Sequence, residues 1–293
     1  MSVEGRPAWL EPATGPERLA KVVILTLILI AVVYPFLNVL STSLATEQEL
    51  VESGGLVLVP RSPSLDAYRT VFESGVIPRA IVVSLCVTAV GTAVSLLVTI
   101  GMAYGLSRPV VGQRPLLMMA LFTLLFTPGI IPSYLVVKEL GLLDSYASLI
   151  LPVMINAFNL VVLRQFFMSI PQELIDSAKI DGAGDLRVLV SIVLPLSKAV
   201  LAVVTLFYAV AYWNAFFTAM LYLSDSSRWP LQLVVRLFVL QGAHVPGATR
   251  LGTAPEQAIQ MAVVVVSVLP ILLVYPFLQK YFTRGVLTGA IKG

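Results

Sequence analysis

The sequence predicts an all-α, polytopic membrane protein with six transmembrane helices, and three observations predict it. Apolar residues make up 58% of the 293, charged residues 12%, and the mean hydropathy is +0.92. That leaves too few charges to coat a soluble globule of this size. The charges are also segregated: runs 22–46, 80–107, 115–137, 145–163, 199–224 and 257–279 contain no Asp, Glu, Lys or Arg. Each supplies the roughly 20 residues that a helix rising ~1.5 Å per residue needs to cross ~30 Å of hydrocarbon. Lastly, six spans put both termini on one side, which then carries twelve lysines and arginines against seven on the other. The excess marks the cytoplasmic side.

Taken in order, a polar tail (1–18) precedes a six-helix domain (19–280) with spans near 19–40, 80–106, 115–137, 146–167, 199–223 and 257–279, and a basic tail (281–293) follows. In hydrocarbon the backbone must bond within its own segment, so each run is a helix. The first run could also be read as a signal peptide ending at Ser43-Leu44-Ala45. It is much longer than a secretory apolar core, which favours a retained helix. The loop 41–78, rich in Ser, Glu, Gly and Pro, lies outside. Short turns at 107–114 and 138–145 place the third and fourth spans. Pro128-Gly129, Pro132, Pro152 and Pro270 interrupt spans, which is tolerated where neighbours satisfy the freed carbonyls. Gly101 and Gly105 have the spacing that lets two helix backbones approach closely. The stretch 229–240 is too short to span and places Leu231, Val234, Val235 and Phe238 on one face, with Gln232 and Arg236 on another, as in an interfacial helix.

Several chemistries are excluded. Cys86 is single and His244 is the only histidine, so no Cys or His cluster can hold a metal. No acidic residue or His lies inside a span and no Lys lies at membrane depth, which leaves no catalytic constellation and argues against proton coupling. The net charge of +3 reflects membrane orientation and calls for no nucleic acid.

The long inside loop, 169–198, carries the functional signal. Ser169 and Gln172 have capping-box spacing, Pro171 suits a first turn, and Glu173 and Asp176 oppose the positive end of a helix. Gly182 and Gly184 end that helix, and Asp185 can cap a second whose apolar face is Leu186, Leu189, Val190 and Val193. Asp176 could pair with Lys179 at i+3. A mixed-charge helix held between two membrane helices suits docking to a soluble partner.

Asp176-Ser177-Ala178, three residues, Gly182, nine residues, then Ile192-Val193-Leu194-Pro195 resembles the signature of the permease subunits of binding-protein-dependent ABC importers. That signature begins Glu-Ala-Ala, so the first two letters depart while the spacing holds. Ile170–Leu174, Trp213-Asn214 and the tail from Gln279 to Gly293 resemble the carbohydrate branch, the maltose-permease superfamily. The runs Leu37–Ala45 and Pro128–Tyr134 are similar to the LplC-type subunits assigned to oligosaccharide uptake.

The resemblance implies a type I importer bundle. A second permease, in a heterodimer, and two ATPase subunits would work by alternating access on sugar delivered by an extracytoplasmic binding protein. Glu173, Asp176, Ala178, Asp181 and Gly182 would dock in an ATPase cleft. ATP and Mg would be bound by that partner, since this chain has no phosphate-binding loop. Import of a non-sugar solute is the alternative, followed by a stand-alone carrier. For contact with sugar, Asn156 and Asn159 in the fourth span and Tyr208, Tyr212, Trp213 and Asn214 in the fifth offer amides and aromatic faces. An unpaired amide in lipid is costly, so interhelical bonding and core packing are the favoured reading for these six.

Overall fold

The computed structural model describes residues 15–241 and 254–290, except for the side chains of 240, 241 and 275–290. Most of the expected N-terminal tail, His244 and the last three residues therefore lie outside the described residues. The chain divides into two compact units, residues up to 69 with 253–265, and residues 70–252 with 266–293.

In the first unit, α1 (Gly15–Ser43) leaves apolar side chains exposed along most of its length, from Leu19 to Leu40. A helix apolar on all sides is a membrane span unless protein surrounds it. Only its last turn is buried, at Ser41, Thr42 and Ser43, where polar groups pin the following loop. Ser41 Oγ donates to the Leu58 carbonyl at 2.7 Å, and the Ser43 and Tyr68 hydroxyls meet at 2.7 Å. Glu49, on the short α2 (Glu47–Glu52), accepts from the Ser62 amide at 2.7 Å. The helix α3 (Asp66–Glu73) leads out of this unit.

The second unit is organised on α4 (Val76–Leu106), which runs 31 residues without a break. The chain continues through α5 (Gln113–Leu125), α6 (Ile130–Glu139), α7 (Ala147–Val153), α8 (Ala157–Met168), α9 (Gln172–Ile180) and α10 (Asp185–Leu196). It ends with α11 (Lys198–Trp213), α12 (Phe217–Tyr222), α13 (Leu231–Gln241) and the part of α14 (Glu256–Ala290) from 266 onward, the earlier turns of α14 belonging to the first unit. Among the described residues α1, α4 and α14 are long and apolar enough to span a membrane unbroken, and counting each bent pair as one span gives up to five.

The other expected spans are interrupted. The run 115–137 unwinds at 126–129, where Gly129 takes φ 81° ahead of α6. The run 146–167 bends by 52° between α7 and α8, and 199–223 unwinds at 214–216. Between α10 and α11 the chain turns by 86°, after a π turn at Leu189–Val193. That π turn shifts the helical register. The buried face of α10 is consequently Val188, Leu189 and Val193, while the expected core residues Leu186 and Val190 are exposed.

α4 and α11 pack so closely that Gly91 has no room for a side chain. A Cβ there would come within 2.9 Å of the Tyr212 ring. One and two turns beyond Gly91 on α4, two hydroxyl pairs join the helices: Ser95 with Tyr212 and Thr99 with Tyr208, both at 2.7 Å. Both tyrosines also reach the break between α7 and α8. Tyr212 donates to the Ile150 carbonyl at 3.3 Å, and Tyr208 accepts from the Asn156 amide at 3.1 Å. Gly101 and Gly105 meet nothing within 4 Å, so their small-residue face is open along α4.

One end of α4 carries α13. Ser84 Oγ accepts from the Leu231 amide at 2.7 Å, satisfying an otherwise free donor at the helix start. Leu231, Val234 and Phe238 are buried as expected of an amphipathic helix, while Leu233 is buried in addition and Val235, expected on that face, is half-buried. Nearby, Asp144, the one described non-glycine with positive φ, accepts from the Ser224 and Asp225 amides and pairs with Arg228. The Asp225 carboxyl is held below its ordinary range chiefly by the Ser227 backbone N–H. A depressed folded pKa means this contribution is present above the unfolded value and is lost as pH falls through the folded one.

Two outcomes follow for the α4–α11 contact. Gly91→Val should force Tyr212 aside and cost about 1–3 kcal/mol, read as a lower melting temperature in detergent. Tyr208→Phe keeps the ring but leaves the Asn156 amide unpaired, which should cost about 1–3 kcal/mol in the same assay. An unchanged melting temperature in both variants would show that neither contact supports the fold.

Candidate functional site

Two places in the second unit gather functional side chains. The first is a cavity of about 650 Å³ between α7–α8 and α11–α12. Leu149, Phe158, Phe207, Phe216 and Phe217 give it apolar and aromatic walls, and Asn156, Asn159 and Asn214 supply amides. Asn156 sits where it does because it caps α8, its Oδ1 accepting from the Asn159 amide at 3.1 Å. Asn214 ends α11 and donates to the Val210 carbonyl at 2.9 Å. Both remain exposed to the cavity, whereas Asn159 is buried against α8's own packing surface.

Of the six candidates for contact with sugar, five line this cavity: Asn156, Asn159, Tyr208, Tyr212 and Asn214. Trp213 does not. It is buried, its indole N–H donating to the Ser267 carbonyl at 3.3 Å, and it borders a separate apolar groove with Pro270 and Val274. Position on the helix explains this, since adjacent residues point about 100° apart on an α-helix. The two tyrosines border the cavity while their hydroxyls are taken up between helices. Sequence reasoning missed Phe158, Phe207, Phe216 and Phe217. Their clustering arises only when the chain breaks at 154–156 and 214–216.

The second place is the loop 169–198. α9 runs Gln172–Ile180, and Gly182 takes φ 81° immediately after it, a conformation that glycine adopts at least cost. The Ser169 side chain turns back to the Phe166 carbonyl, so the expected capping box does not form. Nor does Asp176 pair with Lys179. Asp176 accepts from Gln172 at 3.0 Å, and Lys179 reaches Asp185 at 3.9 Å. Asp185 is the first residue of α10 rather than its cap, which leaves its carboxylate free to bridge.

Glu173, Asp176, Asp181 and Gly182 are all exposed, and Ala178 is half-buried against the core formed by Ile175, Val188, Leu189 and Val193. Ile180 and Leu186 stand out beside them, 87% and 75% exposed. The surface therefore mixes three carboxylates with large bare apolar side chains, a composition that suits a protein partner.

Asp185 also ties this loop to α4, which the sequence did not reveal. Tyr104 donates to the Asp185 carbonyl at 2.9 Å, and Arg108 pairs with its carboxylate at 3.9 Å. The Arg108 guanidinium also donates to the Tyr104 hydroxyl at 2.6 Å and lies 4.6 Å over that ring. Arg164 Nε and Gln113 Nε2 both donate to the Leu106 carbonyl, at 2.7 and 2.8 Å, closing the end of α4. Some twenty residues separate Ser84 from Tyr104, about 30 Å along the helix. α13 and the 169–198 loop therefore sit at opposite ends of α4, with the cavity alongside it.

A bundle of broken apolar helices beside an aromatic cavity, with a charged helix at one end, defines a multi-pass membrane permease. Residues 98–288 match the binding-protein-dependent transport system inner membrane component family, and the chain belongs to it. It is 50% identical over 266 residues to the polygalacturonan/rhamnogalacturonan transport system permease protein YtcP of Bacillus subtilis, covering 89% of this chain and 93% of that one. It is 48% identical over 265 residues to Protein LplC of the same organism, covering 89% and 90%. A crystal structure of a bacterial ABC transporter involved in the import of the acidic polysaccharide alginate superposes with a TM-score of 0.86 at 29% identity, over 93% of this chain and 99% of that one. The chain is thus a transport component of an ABC importer and not an enzyme; the family implies a partner permease, an ATPase and a substrate-binding protein in general.

Arg108→Gln should loosen α9 and α10 from α4 with little effect on the melting temperature, since the Asp185 end of the ion pair is exposed. A loss of about 1 kcal/mol corresponds to roughly fivefold faster amide exchange across 172–188. Unchanged exchange there would show that the loop is held by its apolar core alone.

Proposed function

We propose that this chain forms, with a second permease in a heterodimer, the path for a sugar or oligosaccharide that an extracytoplasmic binding protein delivers. The pair works by alternating access, and two ATPase subunits that bind ATP and Mg drive it from the cytoplasmic side. The relative named for polygalacturonan and rhamnogalacturonan uptake, half identical over nearly the whole chain, carries the substrate reading. The cavity supports it, because pyranose rings stack on aromatic faces while amides bond to hydroxyls. Asn156, Asn214 and the phenylalanines around them are the proposed contacts, with Asn159, Tyr208 and Tyr212 holding the wall in shape.

In this reading the loop 169–198 is cytoplasmic, as are both termini. Glu173, Asp176, Asp181 and Gly182 meet an ATPase cleft, flanked by Ile180 and Leu186, and Ala178 lets α9 pack close. When the ATPases close on ATP, movement of α9 passes through Asp185 to Tyr104 and Arg108, and so to α4. Because α4 is bonded to Tyr208 and Tyr212, displacing it reshapes the cavity wall.

Gly182→Pro tests the coupling. Proline cannot adopt φ 81° and would remove the Gly182 amide's bond to the Lys179 carbonyl, 3.0 Å long. Sugar uptake should be lost at normal abundance, together with copurification of the ATPase. Gly182→Asn, which tolerates positive φ, should retain most of both. Normal uptake in the proline variant would sink the coupling role, and a reporter at Ser177 facing outward would overturn the orientation.

A further inference from the structure

Where α4 ends, a cavity of about 470 Å³ lies between its last turn, the end of α8 and the helices α9 and α10. Its lining has two characters. Arg108, Lys179 and Asp185 are the charged residues in it, and Val110, Phe167 and Met168 give it an apolar wall.

The charges do not close on one another. Arg108 and Lys179 both lie 3.9 Å from the same carboxylate oxygen, Asp185 Oδ1, beyond hydrogen-bond reach. One carboxylate thus stands against two cations. The Arg108 side chain is only 16% exposed, and a guanidinium so enclosed ordinarily has its N–H donors matched. Among the described residues it reaches one hydrogen-bond acceptor, the Tyr104 hydroxyl at 2.6 Å. Sharing the Asp185 oxygen keeps the two cations close enough for a single phosphate group to reach both. Such a group would balance the charge and take up the idle donors.

The surroundings say which phosphate. The charge-free runs 80–107 and 145–163 end at Arg108 and Arg164, so the cavity lies where α4 and α8 leave the hydrocarbon, at the level of lipid headgroups. Val110 and Met168 are exposed beside the cations. A free phosphate would leave them in water, whereas a glycerophospholipid would cover them with the start of its acyl chains. A zwitterionic headgroup brings its own cation, and only an anionic one neutralises the cluster. We propose that this cavity binds the headgroup of an anionic phospholipid, with Arg108 and Lys179 on the phosphate and Val110 and Met168 against the acyl chains. The lipid bridges α4 and α9 and holds the 169–198 loop to the bundle more firmly than Asp185 does alone. The inference needs only the membrane position of α4 and stands whatever the solute.

The test reads amide exchange across 172–188 in the complete importer, with its ATPase and binding protein. The nanodiscs contain phosphatidylcholine alone or an equal mixture with phosphatidylglycerol. Phosphatidylglycerol should slow exchange there about fivefold. Arg108→Gln and Lys179→Gln, each compared between the two lipids, should lose most of that slowing, and Arg108→Lys should keep part of it. Arg114→Gln, which removes a cation at the start of α5 and outside the cavity, should keep all of it. Undiminished slowing in both glutamine variants at 108 and 179 would overturn the proposal and leave general surface charge as the cause. Slowing of the same size by inorganic phosphate in phosphatidylcholine discs, at equal ionic strength, would sink it in favour of a free anion. No lipid effect on the parent protein would do the same outright.

Discussion

In hydrocarbon, a peptide group that leaves the helical ladder has no water to turn to, and each orphan costs on the order of a few kcal/mol. The break between α7 and α8 frees the Ile150 carbonyl and the Asn156 amide, and two hydroxyls of α11 meet them, those of Tyr212 and Tyr208. The same hydroxyls bond Ser95 and Thr99 of α4. Four groups from three segments thus converge on two side chains one turn apart. The cavity depends on this arrangement, because the break that creates its wall is stable only while the tyrosines bridge it.

A wall built this way has a mechanical property that a continuous helix lacks. α4 is rigid over its whole length, and it carries Ser84 at one end, the tyrosine partners in the middle, and Tyr104 with Arg108 at the other. Gly91 brings α11 into ring-to-backbone contact with it. Packed interiors move between discrete arrangements rather than deforming smoothly, so displacement of one end of α4 is felt by the pair of tyrosines. Hydroxyl-to-hydroxyl bonds suit such a contact. Either oxygen can donate, and the bond can be remade after a small shift.

How far the sequence foretold this depends on the range of the interaction involved. Charge-free runs reported apolar helices because length and composition are local, and Gly182 was legible because a helix stop with positive φ is local too. The Asp176-Ser177-Ala178 spacing pointed to the family for the same reason. The breaks were only half visible. Pro128-Gly129 marked one, but no proline stands at 154–156 or 214–216. Pro152 stands just ahead of the first of these, but at 214–216 tertiary contacts override helix propensity and nothing in the neighbouring residues announces the break. Asp185 shows the limit clearly. Beside Gly184 it reads as a helix cap, and only the fold brings it to Arg108, 77 positions earlier. The aromatic lining was missed because Phe158, Phe207, Phe216 and Phe217 converge from three helices and the break between two of them.

Trp213 and Asn214 separate the two kinds of evidence most sharply. They form a recognisable dipeptide, and chemistry alone would give both to the solute, since indole and amide are each good sugar ligands. The helix divides them. Asn214 falls at the last turn of α11, where the chain unwinds into the cavity. Trp213 points the other way, and its N–H is taken by the Ser267 carbonyl of α14. A buried indole donor bonded to a neighbouring backbone is a packing device, and its pairing draws α11 and α14 together beside Pro270, where α14 carries a proline within its helix. The dipeptide thus fixes the end of α11 from one side and frees it from the other. That is why the unwound segment at 214–216, with Phe216 and Phe217 behind it, opens onto the cavity.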